Sequence, residues 1–142
     1  MKTFIYSLLL VFALFACDDK EKEIEYPIDG LEDPINPERN EVTVGAEGDT
    51  LSIKTETIFW LHHIVEYEDG VETQYIFNEL EDVEDRPQFL KVMTGDWYQV
   101  EEREREVYFV IAPNDTGKER AIEVSISSGN TGDDITVTQS AD

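Results

Sequence analysis

From Glu41 onward apolar residues recur at every second position, and this period of two is the strongest constraint on what the chain can fold into. Val42 and Val44 alternate with polar neighbours, as do Leu51 and Ile53, then Val107, Phe109 and Ile111, then Ile122, Val124 and Ile126, then Ile135 and Val137. Successive side chains of an extended strand point to opposite faces, so the alternation describes strands with one buried face. Turn-forming clusters separate the runs: Gly45 to Asp49, Glu68-Asp69-Gly70, Gly95-Asp96, Pro113 to Gly117, and Gly129 to Asp133. Seven to nine short strands with turns at this spacing predict an all-β chain, an antiparallel β-sandwich. No stretch offers a long amphipathic helix. Phe77 to Val83, with Phe77, Leu80 and Val83 three apart, fits a helix of one or two turns or an ordered acidic loop equally well.

The N-terminus has a different character. Lys2 is followed by an apolar run from Phe4 to Phe15, interrupted only by Ser7, and the run closes in Leu14-Phe15-Ala16-Cys17. A stable membrane-spanning helix takes roughly 20 residues, so residues 1–16 suit a cleaved export signal instead. Cys17 is the only cysteine, which precludes an intramolecular disulfide in a protein sent to an oxidising compartment. Leu14 to Cys17 resembles the lipobox of bacterial lipoproteins, which implies diacylglycerol on the Cys17 sulfur and membrane attachment through that lipid.

Residues 17–39 contain Pro27, Pro34 and Pro37 among acidic residues. Prolines remove backbone donors and like charges repel, so this segment is expected to be an extended tether outside the core. In polyproline form its reach would be roughly 70 Å, at about 3.1 Å per residue. The acidic run after Cys17 resembles the export signal that sends lipoproteins of Bacteroidetes-type bacteria to the outer face of the outer membrane. The expected location is therefore the outer membrane, lipid-anchored and facing the cell exterior.

Charge excludes two classes of partner. The chain has 33 Asp and Glu against 11 Lys and Arg, a formal net charge of -22. Binding to nucleic-acid phosphates or to anionic headgroups needs clustered Lys and Arg, so neither is expected as a partner. Most of the acidity belongs to residues 40–142, where 24 acids face seven bases, and it reads there as a solubility feature of the folded surface.

The C-terminal third carries a specific pattern. Val107-Tyr-Phe-Val-Ile-Ala-Pro-Asn114 leads to Thr116-Gly117 and Arg120. The strand Ala121 to Ile126, the turn Ser128 to Asp133 and the closing Ile135-Thr-Val-Thr-Gln139 follow. These residues resemble the BACON domain (Bacteroidetes-associated carbohydrate-binding, often N-terminal). Val42 to Ile53, with Gly45 and Gly48, is similar to the family's first hairpin, and Trp60 stands where its first tryptophan would. Residues 40–142 would form the domain, with an insertion at about 62–95 before the second tryptophan, Trp97. The resemblance implies an immunoglobulin-like sandwich in a polysaccharide-handling or host-glycan-associated surface system. It implies either a binding or accessory module, or a spacer or protein-interaction subunit of an outer-membrane complex with no sugar affinity.

Candidate chemistry follows from residue types. A hydrolase relay needs a histidine beside a nucleophile. The only histidines, His62 and His63, are adjacent and expected on opposite faces of a strand, so no catalytic residue is expected and the chain reads as non-enzymatic. Carboxylates crowd Glu66, Glu68 and Asp69, and again Glu79, Glu81, Asp82, Glu84 and Asp85, without the spacing of a dedicated calcium loop. No metal or cofactor is expected. Sugar rings stack on exposed aromatic faces, and Tyr98, Trp97, Tyr67 and Tyr75 are the candidate glycan contacts. Of the adjacent pair, Trp97 is expected inside, leaving Tyr98 as the platform. The alternating Glu101 to Glu106 run is expected to form a charged strand edge.

Overall fold

The structure is a computed structural model and describes residues 34–83 and 86–142. The expected export signal, Cys17 and most of the expected tether lie outside the described residues. The described chain is all-β, with eleven strands: β1 (Glu41–Val44), β2 (Asp49–Lys54), β3 (Trp60–Glu68), β4 (Val71–Phe77), β5 (Leu80–Val83), β6 (Arg86–Phe89), β7 (Val92–Thr94), β8 (Tyr98–Glu102), β9 (Glu106–Ile111), β10 (Arg120–Ser128) and β11 (Thr131–Gln139). One sheet has the order β1-β11-β10-β3-β4 and the other β2-β9-β8-β7, while β5 and β6 pair as a separate hairpin. The nine strands of the two sheets form the β-sandwich that the alternation predicts, with the immunoglobulin-like character that the family resemblance implies.

The alternating residues supply the core. Ile122, Val124 and Ile126 of β10 and Ile135 and Val137 of β11 are fully buried against Ile53, Val107 and Phe109 of the opposite sheet. Such burial, at roughly 25 cal/mol per Å² of apolar surface, is the main force holding the sheets face to face. Asp69 and Gly70 both adopt positive φ, 50° and 75°, in the two-residue turn joining β3 to β4. That conformation matches the twist of a tight hairpin and suits Asp-Gly.

Several expectations are corrected. Val42 to Ile53 is not a hairpin: β1 pairs in parallel with β11, and β2 crosses to the other sheet to pair with β9. Gly48, at φ 80°, makes that crossing beside the Ile111 carbonyl, where a Cβ would collide with backbone. Ile35, placed in the tether, is only 2% exposed and joins the core. Its carbonyl accepts a hydrogen bond from the Glu56 amide, and the Glu38 amide donates to the Lys54 carbonyl. Phe77 to Val83 forms the end of β4, a two-residue link and β5, not a helix. Arg103 to Arg105 is not a strand edge but the turn between β8 and β9, with Glu104 at φ 53°.

The motif residues of the C-terminal third hold the sandwich together. Gln139 is fully buried; its amide donates to the carbonyls of Gly45, Ala46 and Ala112, and its oxygen accepts from Arg120 Nε at 2.9 Å. Arg120 Nη2 donates to the carbonyls of Ala112 and Pro113. Asn114 donates to the carbonyls of Lys118 and Ser140 and accepts from Thr116. These three side chains tie loops from both sheets, so their role is architectural.

Candidate functional site

The outer surface of the five-stranded sheet gathers aromatic side chains at its β3–β4 side. Cross-strand register sets the arrangement, because residues directly opposite each other share a face. His63 lies opposite Phe77, Val65 opposite Tyr75, and Tyr67 opposite Glu72. On the next strand, Ser125 is opposite His63, Glu123 opposite Val65 and Ala121 opposite Tyr67. One strand further, Asp134 stands beside Ser125 and Thr136 beside Glu123. Val65 is the apolar floor of this grid, only 6% exposed although it points away from the core cluster.

A β-bulge gives the site its most unusual feature. The β3–β10 register slips so that Ser125 pairs with His63 and Ile126 with Leu61, leaving His62 as the extra residue. Leu61 and Ile64 both stay buried, and both imidazoles reach one another, with Nδ1 to Nδ1 at 2.8 Å. The expectation that His62 and His63 point to opposite faces is thereby overturned: alternation is lost where one strand carries an extra residue. One ring must donate and the other accept, so the contact requires at least one neutral imidazole. Burial, and then the neighbouring His62, push the His63 pKa below its ordinary value of 6.5, while Asp134 and Glu123 act in the opposite sense.

Four rings form a connected strip around this pair. His62 meets Phe77 edge-on at 5.1 Å, and His63 stacks on Tyr75 at 4.8 Å between ring centres. Phe77 and Tyr75 remain 52% and 53% exposed, so half of each ring faces water. Nearby, Trp60 stacks against Phe89 of β6 at 5.8 Å. The base of that hairpin is fixed by buried Asn78, which donates to the carbonyls of Leu61 and Leu90 and accepts from the Leu90 amide.

The sequence candidates separate. Tyr75 and Tyr67 lie on the strip's face; burial first, and then Glu123, Glu72 and Asp134, raise the Tyr67 pKa, with Glu72 directly opposite it on β4. Tyr98 is corrected: it is 3% exposed, and its hydroxyl donates to Glu66 at 2.7 Å. Burial, followed by that hydrogen bond, holds its phenol protonated far above the usual range. Trp97 is the partly exposed member of the pair, since Tyr98 and not Trp97 shares strand parity with buried Val100. One face of its indole is covered by the Arg120 guanidinium at 4.3 Å, which leaves that face closed to a stacking ligand. Trp97 lines a cleft of about 460 Å³ with Glu66, Asp96, Asp115 and Arg120. Sequence reasoning missed His62, His63 and Phe77, and the bulge that unites them has no signal in alternation.

Two chemical readings can be tested on this geometry. Asp134, Ser125 and His63 fall in one cross-strand row, but the hydroxyl stands between acid and imidazole, whereas a hydrolase relay places the imidazole between them. Among the described residues, no three His, Cys, Asp or Glu side chains are grouped so as to hold a metal ion. The first acidic cluster is occupied in part by other contacts: Glu66 accepts from Tyr98, and Glu68 pairs with Lys118 at 2.6 Å.

Comparison with known proteins supports the fold and its class. Residues 81–140 match the BACON family model, described as "Putative binding domain, N-terminal". A protein from Bacteroides thetaiotaomicron, solved by NMR, is 26% identical over 84% of this chain and 97% of its own, with a TM-score of 0.57. Among curated proteins nothing matches. The matched segment contains the Asn114, Arg120 and Gln139 clasp, whereas β3 and β4, which carry the aromatic strip, precede it. A binding domain is compatible with a non-enzymatic module.

Proposed function

We propose that the chain is a non-enzymatic carbohydrate-binding module, held at the outer face of the outer membrane by lipid on Cys17, which engages a polysaccharide or glycoprotein glycan through the outer face of β3 and β4. One observation carries the reading: two half-exposed rings, Tyr75 and Phe77, stand two residues apart on one strand, backed by His63 and His62. Their spacing along the strand is about 6.8 Å. The apolar face of a pyranose stacks on such rings, and the carboxylates and hydroxyls of Glu123, Ser125 and Thr136 offer acceptors for sugar hydroxyls beside them.

The test is a glycan array probed with the full chain carrying Cys17→Ser, followed by titration of any ligand found. The double variant Tyr75→Ala/Phe77→Ala should weaken binding by about tenfold or more, from roughly 0.5–1.5 kcal/mol lost per aromatic contact. Tyr108→Ala on the opposite sheet should leave binding unchanged. Absence of any sugar ligand would reject the reading.

A second reading rests on a separate observation. β4 is an edge strand of its sheet and exposes Val71, Tyr75 and Phe77. An open edge accepts an added strand, which would suit a protein-interaction subunit of an outer-membrane complex. Retention by a protein partner with no sugar affinity would favour this alternative.

A further inference from the structure

The charge around the aromatic strip narrows the ligand class. Read across the five-stranded sheet, one outer row runs Glu41, Thr136, Glu123, Val65, Tyr75, and the next runs Asp134, Ser125, His63, Phe77. Glu72 closes the third row beside Tyr67. Among the described residues of this grid there is no lysine or arginine, while Glu123, Asp134 and Glu72 stand on the rows of Val65, His63 and Tyr67, and Glu41 lies at the far edge of the sheet. The charges reach the rings: Glu123 and Asp134 bear on both His63 and Tyr67. Burial, and then the neighbouring His62, push the His63 pKa below 6.5, so His63 supplies no standing counter-charge at neutral pH.

Building on the carbohydrate-binding reading, we infer that this face selects oligosaccharides bearing free, protonated amino groups and rejects those bearing carboxylate or sulfate. A protonated hexosamine meets both features of the surface. Its ring carbons stack on Tyr75 and Phe77, and its ammonium lies between the π faces and the carboxylates of Glu123 and Asp134, an arrangement that attracts a cation from both sides. An acidic sugar in the same pose places like charges within the screening distance, about 8 Å at physiological salt. An N-acetylated sugar keeps the stacking and loses the charge attraction. The ligand class is thus defined by the coincidence of an aromatic strip with an unbalanced acidic frame.

The experiment titrates the full chain carrying Cys17→Ser with three tetrasaccharides of similar size: β-1,4-linked glucosamine, its N-acetylated form, and a uronic-acid tetramer. The glucosamine tetramer should bind about tenfold more tightly than the N-acetylated one at low salt, and the advantage should fade at about 0.5 M salt as screening shortens to a few ångströms. Glu123→Gln/Asp134→Asn, with an unchanged circular dichroism spectrum, should equalise the glucosamine tetramer and its N-acetylated form, and the uronate should not bind the parent chain. Equal affinities in the parent chain, or preference for the uronate, would overturn the inference while leaving carbohydrate binding intact. A lysine tetrapeptide binding as tightly as the glucosamine tetramer would also overturn it, since charge alone would then suffice. Failure of all three sugars would also overturn the inference, and a glycan array with no ligand at all would reject the carbohydrate-binding reading on which it rests.

Discussion

The two sheets present outer faces built by the same rules, yet they differ in whether the aromatic rings are covered. On the five-stranded sheet, Tyr75 and Phe77 are half in water and framed by carboxylates. On the four-stranded sheet the corresponding aromatic, Tyr108 of β9, lies beneath the Arg103 guanidinium, 3.5 Å from its ring centre. Arg103 is itself bound to Glu101 at 2.9 Å. Alternation fills each outer face with what the core does not need, but the covering of a ring depends on the adjoining turn. The β8–β9 turn, with its Arg-Glu-Arg sequence, folds a cation back over its aromatic. The Asp69-Gly70 turn between β3 and β4 carries no cation to do so. The difference teaches that an exposed aromatic strip here is a property of turn chemistry as much as of strand pattern.

The largest expected effect comes from removing the fixture beside the open face. Asn78 is 1% exposed and satisfies three backbone groups of Leu61 and Leu90. Asn78→Ala leaves those groups unpaired and should cost about 2–3 kcal/mol, measured by urea denaturation. It also frees the base of the β5–β6 hairpin, so Phe89 should leave Trp60 and the tryptophan emission should shift to the red. A loss well below 1 kcal/mol would show that the hairpin is not anchored there and that the open face has no fixed neighbour.

How much of this contrast was legible beforehand depends on the residue. The inner parity of Ile122, Val124 and Ile126 follows directly from alternation, because one wet and one dry face leave no other register. Tyr98 was also readable: it shares parity with Val100, and that local signal is stronger than the expectation that a tryptophan fills the core. The His62–His63 pair was not readable. A bulge is defined by the partner strand as much as by its own, and Ser125 and Ile126 lie more than sixty residues away. Ile35 was hidden by its surroundings, since flanking prolines and acids mark an unfolded tether while a single isoleucine carries the anchoring contact.

A second variant converts one face toward the other. Arg103→Ala uncovers Tyr108 by removing both its cation–π cover and the ion pair with Glu101. Because both charged groups are solvent-exposed, the denaturation midpoint should not move measurably. The expected change is in accessibility: nitration of Tyr108, read by peptide mass mapping, should rise toward the rate at Tyr75. Equal rates in the parent chain would remove the distinction between the faces.

The smallest effect is also the one whose sign differs between the sheets. On the open face, His63 has a folded-state pKa below 6.5, chiefly through burial, so the unfolded chain takes the proton first. Stability from this residue is therefore present above about pH 6.5 and lost as pH falls through the folded value. In the other sheet Glu102 has its pKa raised above 4.5 by burial, against the opposing charge of Lys91, so the folded state takes the proton first. Its stability is present below about pH 4.5 and lost as pH rises through the folded value. Acidification thus weakens the fold through β3 and strengthens it through β8. Midpoints measured from pH 8 to 4 should lose their decline below pH 6.5 in His63→Gln and lose the opposing gain at lower pH in Glu102→Gln. If both variants track the parent chain, the histidine pair is not held by its neutral form, and the short contact between the two imidazoles contributes nothing to the face it shapes.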